Sequence, residues 1–76
     1  MSSRLPSVTA RELVRVAKRI GFVLRRQTGS HAIYFRESDR ARVVIPMHQG
    51  KDIKIKTLLG IIDDMGLTPD SFRELL

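Results

Sequence analysis

Between residues 10 and 20 apolar side chains recur at helical spacing: Ala10, Leu13, Val14, Ala17 and Ile20, with Arg11, Arg15, Lys18 and Arg19 on the other side. Thr9-Ala10-Arg11-Glu12 fits a capping box, in which the threonine hydroxyl accepts from a first-turn amide while the glutamate reaches back. Gly21 then ends this helix as a left-handed cap, with Phe22 folding back onto the last turn. Beyond it the pattern changes to strands over about Phe22–Gln27, His31–Arg36 and Arg42–Pro46. Thr28-Gly29-Ser30 joins the first two as a tight hairpin with Gly29 at positive φ, and Glu37-Ser38-Asp39-Arg40 is a polar turn between the second and third. Pro46, which has no amide to donate, suits a strand end.

Met1 to Val8, with Pro6, reads as an irregular arm, and Met47-His48-Gln49-Gly50-Lys51-Asp52 as a loop. A second helix begins within Ile53–Thr57 and runs to Met65, with Ile55, Leu58, Leu59, Ile62 and Met65 inward and Gly66 as its stop. Thr68-Pro69-Asp70 opens a short last helix whose apolar face is Phe72, Leu75 and Leu76. The order predicts one α+β domain spanning residues 1–76: a three-stranded antiparallel sheet with two main helices on one face (α-β-β-β-α) and a short C-terminal helix. Double-stranded-RNA-binding domains share that order. Pairing across the Glu37–Arg40 turn sets His31 close to Pro46 and brings His48 to the same end of the sheet. Strand two does not disclose its inner face, because Ala32-Tyr34 and Ile33-Phe35 are both apolar sets. The set left outside is a candidate partner surface, unless the N-terminal arm or a terminal helix covers it.

Charge sharpens this picture. Fourteen Lys and Arg against eight Asp and Glu give a formal +6, which points to a polyanionic partner, nucleic acid first and an acidic protein second. Cysteine is absent, excluding disulfides and Cys-based zinc sites and fitting a reducing cytoplasm. No apolar stretch approaches spanning length and none follows the N-terminus as in a signal peptide, so a soluble cytoplasmic domain with no membrane role is expected.

Candidate chemistry gathers at the hairpin. Histidine is the side chain that changes charge in the neutral range, and His31 stands at a strand end beside cations. There it could take the proton from a ribose 2′-hydroxyl; the bland alternative is an imidazole bonded to turn backbone. His48 could return a proton to the leaving 5′-oxygen, or be a solvated loop residue. Arg25, Arg26 and Lys51 are candidate phosphate contacts and Ser30 a hydrogen-bond donor. Two histidines without Cys or a spaced carboxylate disfavour a metal site, and Asp63-Asp64 reads as solvated. Three functions stay open on the residues alone: an endoribonuclease, a non-catalytic RNA-binding module and a protein-interaction domain.

Leu5-Pro6, Gly21-Phe22, Gly29-Ser30-His31, Val43-Val44-Ile45-Pro46-Met47-His48, and Thr57-Leu58 through Ile61-Ile62 to Gly66-Leu67 together resemble the HicA (YcfA-like) toxin family, over roughly residues 5–67. The resemblance implies a metal-independent, cofactor-free mRNA interferase on a double-stranded-RNA-binding-like fold, with the histidine after Gly-Ser, here His31, as catalytic residue. It also implies a commonly acidic antitoxin, HicB, covering the active face. The chain departs from the family at Lys56, where many members have Gly, and at Met47, where Val is more usual.

Overall fold

The computed structural model describes residues 5–48 and 50–76, so Met1 to Arg4 of the arm and Gln49 of the loop lie outside the described residues. Its elements run α1 (Ala10–Arg19), β1 (Val23–Thr28), β2 (His31–Arg36), β3 (Ala41–Pro46), α2 (Ile55–Asp64) and α3 (Pro69–Leu75). The strands form one antiparallel sheet in the order β1-β2-β3. This is the α+β architecture that the periodicities predict.

Local chemistry accounts for the element ends. Thr9 caps α1: its hydroxyl accepts from the Glu12 amide, and Glu12 Oε1 accepts from the Thr9 amide at 2.9 Å. Gly21, at φ +100°, reverses the chain so that the Phe22 amide donates to the Ala17 carbonyl at 3.0 Å and the Phe22 ring enters the core. Strand β1 thus starts at Val23 and Phe22 belongs to the interior. Thr68 and Ser71 form the equivalent box at α3, with Pro69 in its first turn.

Packing settles which face of β2 is inner. Ala32 and Tyr34 are buried together with Val43 and Ile45 of β3, against Leu13, Val16 and Ala17 of α1 and Leu58, Ile61 and Ile62 of α2. Burial desolvates the Tyr34 phenol and pushes its pKa up. His31, Ile33 and Phe35 take the outer face, where Ile33 and Phe35 are half-buried and His31 is exposed. Among the described residues no helix covers that face. The described end of the arm is tied to the loop before α2: Val8 is buried, its carbonyl accepts from the Ile53 amide at 2.7 Å, and Thr9 bridges to Asp52.

Two details of the helices differ from the spacing argument. In α2, Ile55 (53 % exposed) and Leu59 (43 %) face solvent, whereas Ile61 is buried. Leu58, Ile61, Ile62 and Met65 make the covered stripe; Leu59 falls beside it, and Ile55 is exposed in the first turn. In α1, Val16 is fully buried while Val14 and Ile20 only flank the core.

Arg36, at the end of β2, ties both main helices together. Its guanidinium donates to the Ile20 carbonyl (3.1 Å) at the end of α1 and to the Met65 carbonyl (3.2 Å) at the end of α2. It lies 4.5 Å over the Phe22 ring and pairs with Asp39 at 2.8 Å. That pairing, led by the hydrogen bond from Arg36, holds the Asp39 carboxyl down at about 2 and raises the guanidinium in turn.

Candidate functional site

The β1–β2 hairpin turns at Gly29, whose φ of +58° needs a residue without a Cβ penalty. This leaves His31 as the first residue of β2, paired with Thr28 on one side and Pro46 on the other. Proline stops the ladder, but the pairing continues one step beyond it: the Met47 amide donates to the Ser30 carbonyl at 2.5 Å. That bond holds the departing chain against the turn, so His48 follows on the same corner. The Lys51 amide then donates to the His48 carbonyl at 3.3 Å, and the Ile53 amide to Val8 returns the chain to the body of the molecule before α2 begins.

The result is an open hollow of about 550 Å³ lined by His31, Val44, Pro46, His48, Lys51, Asp52, Ile53, Lys54 and Thr57. Both histidines are exposed, as are Lys51, Lys54 and Thr57. Helix α2 opens onto this hollow at Lys54, its N-cap, which supplies no side-chain cap, and its first turn holds no acidic residue. The partial positive end of the helix therefore stands beside Lys51 and Lys54, which outweigh the carboxylate of Asp52, an arrangement favouring a bound anion.

Of the residues singled out in the sequence, the fold gathers His31, His48 and Lys51 in this hollow, with Ser30 adjoining through its backbone. Arg25 and Arg26 lie outside it. Arg25 sits at a bulge in β1 with its guanidinium 4.1 Å over the Phe35 ring, and Arg26 pairs with Ile33 on the outer face. Lys54 and Thr57 were not foreseen; a lysine at an N-cap, where Ser, Thr or Asp would be the stabilising choice, is the signal that could have marked the first of them. Among the described residues no group of three or more His, Asp or Glu gathers as a metal site. None of their helices is long and apolar enough to cross a membrane.

On the outer face, register sets Val23, Arg26 and Thr28 of β1 and Arg42, Val44 and Pro46 of β3 beside Phe35, Ile33 and His31. The face is thus apolar down its middle, cationic at its flanks, and continuous with the histidine corner.

A helix, an antiparallel three-stranded sheet and a second helix on the same face, with a basic histidine corner, define a small α+β domain of double-stranded-RNA-binding-like order. Within that class the chain can be placed further. The family model for the HicA toxin of bacterial toxin–antitoxin systems matches residues 10–67, and the chain belongs to that family. It is a toxin by family, and its partner is by class an antitoxin. A search of curated proteins finds no match.

Proposed function

We propose that this toxin is an endoribonuclease that cuts mRNA by acid–base chemistry at the His31 corner. The observation that carries the reading is the exposed His31 imidazole sharing one hollow with His48, Lys51 and Lys54. In the first step His31 takes the proton of a ribose 2′-hydroxyl and that oxygen attacks the adjacent phosphorus. The bond from phosphorus to the 5′-oxygen breaks, and His48, as general acid, gives a proton to the departing oxygen. The products are a 2′,3′-cyclic phosphate and a 5′-hydroxyl. Positioned proton transfer of this kind contributes about 10²–10⁴-fold. Charge on the phosphorane is met by Lys51, Lys54 and the first-turn amides of α2, which supply a separate electrostatic contribution. None of these steps calls on a metal or an organic cofactor.

The non-catalytic alternative, an RNA-binding module, needs the lysines but not an imidazole. Product chemistry separates the two. With an oligoribonucleotide and excess EDTA, we expect fragments ending in a cyclic phosphate; intact RNA, or fragments with 5′-phosphates, would reject the proposal.

For the antitoxin we propose a HicB-like acidic protein seated on the outer sheet face. Ile33, Phe35 and Val44 offer an apolar centre, Arg26 and Arg42 offer charge, and His31 lies at its end, so an occupant there shuts the hollow to RNA. This joins the third reading, a protein-interaction domain, to the first.

A further inference from the structure

A second cleft of about 550 Å³ lies between the first turn of α1 and the loop after β3, lined by Thr9, Ala10, Arg11, Met47, His48 and Gly50. His48 stands in the walls of both this cleft and the His31 hollow, so the two adjoin at this residue. We propose that the cleft is a second nucleotide subsite, which takes the residue of a single RNA strand one place beyond the two that flank the cleaved bond and uses Arg11 as its phosphate contact. The inference rests on the ribonuclease reading above and extends it by naming where the strand leaves the site.

The chemistry of the walls selects such an occupant. The Thr9 hydroxyl is already engaged in the cap of α1, accepting from the Glu12 amide. Ala10 and the half-buried Met47 give an apolar surface, and a thioether is a good neighbour for a flat π-system. Besides Gly50, the residues left to meet a ligand are His48 and Arg11, both exposed, and Arg11 joins no ion pair among the described residues. A ligand satisfying these walls is flat and partly apolar and carries an anion, as a nucleotide does. The Thr9–Asp52 bridge and the bond from Ile53 to Val8 fasten the loop's far end to the base of α1, so the cleft has a built frame.

The test measures binding, not cutting. Oligoribonucleotides of two and four nucleotides, 2′-O-methylated throughout so that they cannot be cleaved, are titrated against the full chain and its Arg11→Ala and Arg15→Ala variants. Arg15 is an exposed cation on the same helix that does not line the cleft. The full chain should bind the longer oligomer more tightly. Arg11→Ala should lose about fivefold of that gain, and its salt slope should fall by about 0.7, the value for one phosphate contact on a single strand. Arg15→Ala should keep the gain. The subsite is refuted if length brings no gain, if Arg11→Ala keeps the gain, or if Arg15→Ala loses as much. Cleavage of unmodified RNA is scored separately. An Arg11-dependent gain without cutting upholds the subsite and rejects the catalytic reading, whereas cutting without that gain rejects the subsite alone.

Discussion

Arg36 is the residue whose loss should cost the fold most for a single surface-facing side chain. An exposed ion pair contributes little, so the pairing with Asp39 is the lesser part of its role. The greater part is the pair of hydrogen bonds to the last carbonyls of α1 and α2, where a cation also meets the negative helix ends. Arg36→Met should therefore destabilise by about 2 kcal/mol, a fall in Tm of roughly 10 °C by thermal melting. Asp39→Asn should cost less, and its cost should depend on pH with a definite sign. Because the Asp39 carboxyl is depressed from 3.8 to about 2, its stabilisation is complete above the ordinary carboxylate value and is lost as pH falls through about 2. The Tm gap between the parent and Asp39→Asn should close over that interval; a gap constant down to pH 2 would contradict the pairing.

Among the elements, α2 breaks the local rules that α1 and α3 obey. Those two begin on threonine capping boxes, whereas α2 begins on Lys54 with no side-chain cap. Lys54→Ser should raise stability by about 1 kcal/mol in a denaturant melt. If the hollow holds phosphate, the same change should also slow RNA cutting, a trade of function for stability. Stability gained with cutting unchanged would remove Lys54 from the site. Capping boxes, glycine stops and turns are encoded within a few residues, which is why both ends of α1 and the start of α3 were readable along the chain. The exposure of Ile55 and Leu59 was not. Period gives a helix its stripe, but which positions at the margin of the stripe are covered depends on tertiary packing.

At the scale of the whole molecule, the +6 charge is spread over distinct surfaces: the histidine hollow, the flanks of the outer sheet face and Arg11 at the second cleft. The meeting of His31 with His48 was legible because short connections and antiparallel order leave the chain little choice. The neighbours Lys54 and Thr57, and the clasp of Arg36 on two helix ends, were hidden because they depend on how helices sit against the sheet. The displacement of Arg25 toward Phe35 was hidden for another reason, a bulge in β1 that no turn residue announces. The measurement that bears most directly on the account is RNA cutting by His31→Ala. The side chain is exposed at a strand end, so its Tm should stay within about 2–4 °C of the parent. The account predicts a cutting rate at least about 10²-fold lower in that folded variant. Cutting at the parent's rate would contradict it.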